Sequence, residues 1–262
     1  MVLNNNNLRI FAKLFDNEEY AARARDLYII NNLKDTHKLR GLRQRLVKYL
    51  QSRGIDDSRI LDAFMDIPRH YFISKDFAEW AYRDEAFLIA AGQTISHPYT
   101  VAFQTDLLQI KSSDKILEIG TGSGYQATVI ASMGAKLYTI ERQAELYHTT
   151  NKLLIKLGYD RIRTLFGDGY QGAPRFAPFD KIIVTCGASF IPKVLPYQLK
   201  IGGRMVIPVG EGEDKMMTVI TRESETEFSS EKKGIFKFVP FLEGTNEQKQ
   251  SAISKPVTRV KL

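Results

Sequence analysis

A glycine-rich segment with a carboxylate just before it is the part of this sequence best suited to holding a ligand. Gly120-Thr-Gly-Ser-Gly124 follows the apolar run 115–119, in which Glu118 is the acidic residue, and a predicted helix starts at Tyr125. Glycines allow a ligand to approach the backbone closely, and the first amides of the following helix are free to donate hydrogen bonds. Such a loop is weak evidence by itself, because dinucleotide enzymes place G-x-G-x-x-G at the same point.

The spacing and the acid distinguish this loop from the dinucleotide pattern. The glycines follow G-x-G-x-G, and Tyr125 occupies the position of the last glycine in G-x-G-x-x-G. Glu118 favours a methyltransferase, since a carboxylate there can meet the positively charged methionine end of S-adenosylmethionine. The cofactor-binding residues predicted in this segment are Glu118, Gly120, Thr121, Gly122, Ser123, Gly124 and Tyr125.

Two further acids follow predicted strands farther along the chain. Glu141 ends the second strand, about 20 residues beyond the loop, where a carboxylate can accept both ribose hydroxyls. Asp168, between Gly167 and Gly169, ends the third strand and can contact the adenine amino group. Taken singly, Glu141 is explained equally well as a surface charge and Asp168 as a turn residue. Three acids at the ends of successive strands nevertheless indicate one crevice, so Glu141, Gly167, Asp168 and Gly169 are predicted to bind S-adenosylmethionine and its product S-adenosyl-L-homocysteine, without a metal.

The segment after the fourth predicted strand bears on the methyl acceptor. Nitrogen methyltransferases often carry Asn/Asp-Pro-Pro-aromatic there, whereas this chain reads Thr185-Cys-Gly-Ala-Ser189 and shows no strong base. A carboxylate acceptor needs no base, because it is ionised near pH 7 and is a competent nucleophile. Holding it in line with the sulfonium methyl would supply most of the rate, so the sequence is compatible with a carboxylate acceptor.

A polar segment upstream of the loop, Gln93-Thr-Ile-Ser-His-Pro-Tyr99, precedes a helix predicted to run through Leu108. It is close enough in the chain to fold over the cofactor. Two interpretations are open at this point. Ser96 can be the N-cap of the helix, with Pro98 in the first turn, and this is the simpler explanation. Ser96 can also be a residue of the active site.

Strands that alternate with helices place these motifs on an α/β fold. The alternation from residue 115 onward predicts a doubly wound, mostly parallel Rossmann-like methyltransferase sheet with right-handed crossovers. The strands are predicted at 115–119, 136–140, 162–166, 181–185 and 203–208, and the helices between them at 125–133 and 145–157. Two later runs, 216–221 and 235–241, predict an antiparallel C-terminal end of the sheet.

Amphipathic helices precede the sheet. Leu39, Leu42 and Leu46 recur at helical spacing up to a stop at Gly54, and a shorter helix is predicted at 60–65. The predicted organisation is an N-terminal helical extension at 1–37, a helical and substrate-binding region at 38–110, an S-adenosylmethionine-binding Rossmann-like domain at 111–245 and a tail at 246–262.

Charge and composition limit the expected partners. The net charge of +7 is concentrated at the two ends, with +5 in residues 1–60 and +4 in 231–262, which leaves −2 for the part that holds the motifs. A nucleic-acid enzyme is expected to carry basic surface beside its catalytic site, so no nucleic-acid partner is expected. No apolar run reaches the roughly 18 residues of a membrane span, and no secretory signal is visible. The single cysteine, Cys186, excludes an internal disulfide, and the expected protein is a cytoplasmic monomer.

Several motifs together resemble the protein-L-isoaspartate O-methyltransferase family, in unbroken order over roughly residues 38–245. The most specific is Gly92-Gln-Thr-Ile-Ser96, because most methyltransferases share only the glycine loop, here Leu117-Glu-Ile-Gly-Thr-Gly-Ser-Gly-Tyr-Gln126. The others are Gly167-Asp-Gly169, Pro178-Phe-Asp-Lys-Ile-Ile-Val-Thr185, Gly202-Gly203 with Ile207-Pro-Val-Gly210, and Phe238-Val-Pro240. The resemblance shifts Ser96 from a helix cap to an active-site residue, and it can be both.

This resemblance implies a protein repair reaction. Family members transfer a methyl group from S-adenosylmethionine to the α-carboxylate of L-isoaspartyl residues, which arise from asparagine deamidation and aspartate isomerisation. The ester closes to a succinimide, whose hydrolysis returns some normal aspartate. By resemblance, the partners are isoaspartyl-containing proteins and peptides, and Ser96 is the catalytic serine. The substrate-binding residues that the resemblance implies are Gln93, Thr94, Ile95, Phe238 and Val239.

The residues just before this signature depart from the family pattern. Members usually show Pro-Ile-Gly-x-Gly-Gln, and this chain has Leu88-Ile-Ala-Ala-Gly-Gln93. Alanine is disfavoured at Ala90 by about 1 kcal/mol or more if φ is positive there. The departure keeps open a related carboxyl methyltransferase with an altered acceptor. A non-catalytic S-adenosylmethionine-binding scaffold would need Ser96 to be only a cap. A nucleic-acid methyltransferase is disfavoured because this chain lacks the Pro-Pro motif, and an NAD-dependent dehydrogenase is disfavoured because its glycines are spaced differently.

Overall fold

The computed structural model describes residues 35–247, which begin with two helices. These are α1 (His37–Ser52) and α2 (Ser58–Asp66). The Thr36 hydroxyl accepts a hydrogen bond from the Leu39 amide at the start of α1, and Gly54 takes up a left-handed backbone (φ 88°) just beyond its end. Both predicted helices are confirmed. The extension predicted at 1–37 and the tail predicted at 246–262 lie outside the described residues, except for 35–37 and 246–247.

A run of short elements connects these helices to the sheet. Three 3₁₀ turns come first, at Arg69–Phe72, Lys75–Phe77 and Trp80–Tyr82. The two-residue strands β1 (Phe87–Leu88) and β2 (Thr94–Ile95) then pair antiparallel, and helix α3 (Pro98–Leu108) follows. Pro98 suits the first turn of α3, because an amide there would have no partner within the helix.

Seven strands form the central sheet. They are β3 (Lys115–Ile119), β4 (Lys136–Glu141), β5 (Arg163–Phe166), β6 (Phe179–Val184), β7 (Leu199–Val209), β8 (Asp214–Arg222) and β9 (Phe228–Lys237). Their order is β5-β4-β3-β6-β7-β8-β9; the first five are parallel, and β8 and β9 run antiparallel. The predicted α/β class, a mostly parallel Rossmann-like sheet with an antiparallel C-terminal end and N-terminal helices, is confirmed.

Two hydrophobic cores lie on the two faces of this sheet. The later helices are α4 (Tyr125–Ser132), α5 (Ala144–Lys156) and α6 (Val194–Tyr197). Ile116 packs with α1 to α4 on one face, whereas Leu117 packs with Leu195 of α6 on the other. Successive strand residues point to opposite faces, so a strand that is covered on both sides is apolar at nearly every position. This is why the parallel strands could be located from the sequence.

The last strand differs from its prediction at 235–241. Strand β9 pairs with β8 from Phe228 to Lys237, so it starts seven residues earlier and ends four residues sooner than predicted. Beyond Lys237 the chain leaves the edge of the sheet. There the carbonyl of Val239 accepts from the Gly187 amide at 2.8 Å, and the Phe241 amide donates to the Gly187 carbonyl at 2.9 Å. Residues 239–241 are therefore placed beside the end of β6.

Strand β3 lies between β4 and β6: the strands that follow it directly in the chain, β4 and β5, lie on one side of it, and the later strands from β6 onward lie on the other. A crevice opens at the carboxyl ends of the strands where the order reverses in this way, and parallel sheets bind ligands there. Within residues 35–247, no helix is long and apolar enough to cross a bilayer.

Candidate active site

A cleft lies at the carboxyl ends of β3 and β4. Its volume is about 840 Å³ when the part open to solvent is included, which is in the range of ~300–1,000 Å³ for small-molecule sites. The stretches of chain that line it include residues 93–96, the glycine loop (residues 120–124), the residues that follow β4, residues 185–186 after β6, and the C-terminal segment 239–242. The cleft thus brings together the two motifs that the sequence separates by more than twenty residues.

The glycine loop needs glycine for two reasons. Gly120 (φ 98°), Gly122 (φ 51°) and Gly124 (φ 85°) have left-handed backbone. A β-carbon on Gly120 would lie 2.6 Å from Thr185 Oγ1, and one on Gly124 would lie 2.8 Å from Thr150 Cγ2 of α5. Of the predicted loop residues, those that line the cleft are Gly120, Thr121, Gly122, Ser123 and Tyr125. Gly124 is not among them, since its α-carbon packs closely against α5.

Glu141, the last residue of β4, is held against the glycine loop by both of its carboxylate oxygens. Oε2 accepts a hydrogen bond from the Gly122 amide at 2.8 Å, and Oε1 accepts one from the Gln143 amide at 2.9 Å. Burial raises the pKa of this carboxyl, and the hydrogen bonds from the two backbone amides partly oppose that increase. Because each carboxylate oxygen can accept more than one hydrogen bond, the fixed group can still accept from hydroxyl groups in the cleft.

Glu118 lies behind the wall of the cleft instead of lining it. Its side chain is fully buried, and Oε2 accepts a hydrogen bond from the Thr139 hydroxyl at 2.6 Å. The Thr139 hydroxyl is in turn 2.7 Å from the hydroxyl of Thr121, which does line the cleft. Burial raises the pKa of Glu118 to about 8. The carboxyl group is therefore connected to the cleft through two threonine hydroxyls, and a direct contact with a cofactor stays a prediction.

The third acid, Asp168, follows β5 and caps a 3₁₀ turn. Its side chain accepts from the Tyr170 amide at 2.9 Å, as the turn interpretation of this residue required. Gly169 lines the cleft, while Gly167 and Asp168 do not. A β-carbon on Gly169 would collide with Ile119 Cγ2, so glycine is required there for close packing at the cleft. The contact predicted between Asp168 and adenine stays a prediction.

Residues 93–96 form the opposite wall, and all four of them line the cleft. Ile95 is buried and pairs with Phe87 between β2 and β1, which anchors the segment. The prediction that Ser96 is the N-cap of the following helix is wrong. His97 is the N-cap of α3, without a side-chain hydrogen bond, so the Ser96 hydroxyl is not occupied in capping. The Ser96 carbonyl accepts a hydrogen bond from the guanidinium of Arg69 at 2.7 Å.

Residues 88–91, which depart from the family pattern, were expected to strain the backbone if φ is positive at Ala90, but the strained residue is a different one. The backbone of Ala90 does not have a positive φ, but that of Ala91 does, at 54°. A left-handed alanine costs roughly 1–2 kcal/mol, so the strain lies one residue later in the chain. Leu88, which stands where the family has proline, is 76% exposed. Both residues precede the wall formed by 93–96.

The C-terminal segment contributes one of the two residues predicted there. Val239 lines the cleft, whereas Phe238 is partly buried against the core on the α1–α4 side. Pro240, Phe241 and Leu242 also line the cleft and were not predicted. They could not be found from local patterns, because they reach the site only after β9 has ended and the chain has turned back toward β6.

Other lining residues were missed although they follow strands directly. Arg142 and Gln143 come after β4, and Thr185 and Cys186 come after β6. Gln143 is also joined to the C-terminal side, because its Oε1 accepts from Asn246 Nδ2 at 2.7 Å. These four residues could have been predicted from their position, because parallel sheets bind ligands at the carboxyl ends of their strands. Within residues 35–247 no three His, Cys, Asp or Glu side chains are grouped so that they could hold a metal ion.

Comparison with known proteins identifies relatives over most of the chain. The profile of the protein-L-isoaspartate(D-aspartate) O-methyltransferase family matches residues 41–246. A protein-L-isoaspartate O-methyltransferase of Flavobacterium johnsoniae is 56% identical over 214 residues, which are 82% of this chain and all of the relative. The enzyme of the same name from Cytophaga hutchinsonii is 45% identical over 210 residues, or 80% of this chain and 95% of the relative.

Solved structures agree with the sequence relatives. A protein-L-isoaspartate O-methyltransferase superposes with a TM-score of 0.69 at 26% identity, covering 76% of this chain and 65% of that one. A Plasmodium falciparum protein described as a putative member, in complex with S-adenosyl-L-homocysteine, gives a TM-score of 0.67 at 23% identity over 80% of this chain and 99% of its own, and supports the fold. With a family profile and close relatives matching about four-fifths of its length, the chain belongs to the protein-L-isoaspartate(D-aspartate) O-methyltransferase family.

Proposed function

We propose that this protein transfers a methyl group from S-adenosylmethionine to the α-carboxylate of L-isoaspartyl residues in damaged proteins and peptides. The observation that carries the proposal is the cleft itself, in which residues 93–96 face the glycine loop held by Glu141. The ester so formed closes to a succinimide, and the overall effect is repair. Relatives at 54–56% identity share the isoaspartate name, which disfavours the alternative of an altered carboxyl acceptor.

The residues present fit S-adenosylmethionine on one wall of the cleft. The anchored carboxylate of Glu141 can accept the two ribose hydroxyls, and Gly120 and Gly122 leave room for a ligand at the backbone. Asp168 and Gly169, after the neighbouring strand β5, are assigned to the adenine. Glu118 is assigned to the methionine end, which it reaches through the hydroxyl groups of Thr139 and Thr121. When bound, the cofactor supplies an electrophilic methyl group on a sulfonium. The residues proposed to hold it are Glu118, the loop 120–125, Glu141 and 167–169.

The acceptor is proposed to bind on the wall formed by residues 93–96. An isoaspartyl carboxylate is already ionised near neutral pH, so the protein needs to orient it and has no proton to remove. We assign that task to the hydroxyl groups of Thr94 and Ser96, with Gln93 and Ile95 shaping the wall and Phe238 and Val239 holding the peptide. Alignment of a bound nucleophile with the methyl group accounts for most of the rate in such a reaction.

The proposal extends to the organisation of the chain. Residues 38–110 bind the acceptor and residues 111–245 bind the cofactor. We further propose that the protein works as a cytoplasmic monomer on protein substrates and not on nucleic acid; the −2 charge of the part that holds the motifs supports this last point.

Incubation with methyl-labelled S-adenosylmethionine and a matched pair of peptides tests the function. One peptide carries isoaspartate and the other normal aspartate at the same place. We expect base-labile methyl ester on the isoaspartyl peptide alone. Equal labelling of both peptides would indicate another carboxyl acceptor, and no labelling despite measurable cofactor binding would leave only the scaffold alternative.

A further inference from the structure

A buried guanidinium outside the cleft contacts both of its walls. Arg69, in the 3₁₀ turn after α2, has no solvent exposure. Its Nε donates a hydrogen bond to the Ala81 carbonyl at 2.9 Å, and one terminal nitrogen, Nη2, donates to the Ser96 carbonyl at 2.7 Å. The other terminal nitrogen, Nη1, has no hydrogen-bond partner among residues 35–247. A side chain far from Ser96 in sequence is thus bonded to the main chain of the proposed catalytic residue.

The hydrogen bond to Ser96 replaces one that helix α3 does not make. The Ser96 carbonyl receives no amide hydrogen bond from α3, whose first main-chain bond runs from the Val101 amide to the His97 carbonyl. The first turn of α3 is also held by Asp84, whose Oδ1 accepts from the Tyr99 amide at 2.8 Å. Residues 81–84 and Arg69 therefore hold the main chain on both sides of Pro98, and so fix where the Ser96 hydroxyl is presented.

The same guanidinium lies over a side chain of the opposite wall. The central carbon of Arg69 is 4.8 Å from the centre of the Tyr125 ring, the residue that follows the glycine loop and lines the cleft. Phe64 and Phe72 pack edge-on against the same ring, at centroid distances of 5.7 and 5.4 Å. The planar guanidinium thus packs on an aromatic ring and donates hydrogen bonds to two carbonyl groups at the same time. The ammonium group of lysine cannot reproduce this arrangement.

Stability alone gives a poor account of this residue. Burial lowers the pKa of Arg69 to about 10, and no carboxylate among the described residues forms an ion pair with it. An unpaired buried charge is costly, and an apolar side chain of similar volume often serves stability as well or better. Arg43 shows the contrast, since it is also buried but pairs with Asp35 at 2.9 Å.

We propose that Arg69 is a positioning residue for methyl transfer: it sets the Ser96 main chain in register with the Tyr125 end of the glycine loop. This rests on the proposed function. Arg69 does not touch the reacting atoms; it acts through Ser96 and Tyr125. The distance between acceptor and methyl donor is then set by one guanidinium that both walls share.

The test compares Arg69→Lys with Arg43→Lys as a matched control. Both variants keep the positive charge at a buried site, and both are expected to lower the melting temperature. Only Arg69→Lys should lower kcat/KM for an isoaspartyl peptide, by about 10–100-fold, because small misplacements of reacting groups have effects of that size. The dissociation constant of S-adenosyl-L-homocysteine should change by no more than about threefold, below 1 kcal/mol.

The possible outcomes distinguish a failure of the positioning role of Arg69 from a failure of the proposed methyltransferase function. Wild-type protein that does not methylate isoaspartyl peptides contradicts the proposed function, whatever Arg69 does. Active wild type with unchanged kcat/KM in folded Arg69→Lys overturns the positioning role. So does a parallel loss of activity in Arg43→Lys, or a failure of Arg69→Lys, Arg69→Gln and Arg69→Met all to fold while Arg43→Lys folds, since Arg69 would then be needed only for stability.

Discussion

The carboxylate of Glu141 accepts a hydrogen bond from the Gly122 amide at 2.8 Å, which joins the end of one strand to the loop that follows its neighbour. The second oxygen is taken by the Gln143 amide at 2.9 Å. These two bonds fix the carboxylate before any ligand is present, so little rotamer freedom is lost when hydroxyl groups bind to it. The loop geometry and the proposed ribose site therefore depend on the same side chain.

Replacement of Glu141 by glutamine should weaken cofactor binding. Glutamine keeps one acceptor oxygen but replaces the other by a donor, which must face either the Gly122 amide or the Gln143 amide, both of which are donors themselves. We expect the dissociation constant of S-adenosyl-L-homocysteine to rise at least about tenfold, as loss of a hydrogen bond to a charged group would give. Isothermal titration calorimetry measures it. Glu145→Gln, on the exposed side of α5, is the control, and an unchanged constant in Glu141→Gln would remove the ribose role.

Replacement of Ser96 by alanine should separate catalysis from cofactor binding. The hydroxyl is not needed to cap α3, so its loss should cost little stability. We expect turnover of an isoaspartyl peptide to fall about 100-fold or more, as for loss of one transition-state hydrogen bond. Cofactor affinity should stay within about tenfold. Ser132→Ala, at the exposed end of α4, should match wild type; if Ser96→Ala does so too, Ser96 has no catalytic role.

Replacement of Gly120 by alanine should destabilise the protein, whereas the same replacement of a glycine in α1 should stabilise it. The β-carbon of Gly120→Ala would approach Thr185 Oγ1, which is held by the Ile119 and Gly120 carbonyls at 2.9 and 2.7 Å. With the left-handed backbone, we expect a loss of about 1–3 kcal/mol in the free energy of unfolding. Gly41→Ala meets nothing within 4 Å and lies in a helix, so it should gain about 0.5–1 kcal/mol. Urea denaturation compares them; equal effects would mean that the loop tolerates a side chain.

The buried carboxyl of Glu118 should make stability fall with rising pH. Its pKa is raised by burial from 4.5 to about 8, so the folded state prefers the protonated form. The contribution of Glu118 to the free energy of unfolding is therefore fully present below pH 4.5 and is lost as the pH rises through about 8. Glu118→Gln should therefore melt higher than wild type at pH 8 and about equally near pH 4.5. His70 titrates on the acid side in both proteins, so its effect cancels in the difference. A constant difference across this range would contradict the raised pKa.

The single cysteine offers a probe of the cleft. Cys186 lines it beside Thr185, and burial raises the pKa of its thiol well above the usual range. Since the thiolate is the reactive form, maleimide or iodoacetamide should label the folded protein slowly near neutral pH and the unfolded protein fast. Saturating S-adenosyl-L-homocysteine should slow labelling further, which mass spectrometry can follow. Labelling at the rate of a free thiol, with or without ligand, would place Cys186 outside the site.

Much of the fold was predictable because its strands are covered on both faces. Strand β3 has the predicted bounds, and β4 and β5 differ from prediction by one residue each, because continuous apolar runs end at charged or glycine residues. The edge strand β9 was misplaced, since one of its faces is exposed and its apolar pattern is correspondingly thin. The N-cap of α3 was misplaced by one residue, because serine is the stronger cap by type but His97 has the position.

By itself, the sequence determined the family, the order of the elements and the strand ends that carry Glu118, Glu141 and Asp168. These are local properties, set by the periodicity of apolar residues and by the spacing of the motifs. Only the tertiary structure decided which of them reach the cleft. Side-chain direction at a strand end depends on what packs around it, and so Glu141 faces the cleft while Glu118 bonds to Thr139 behind its wall. Contacts between segments far apart in the chain, such as the bond from Arg69 to Ser96, exist only after the helices have packed on the sheet.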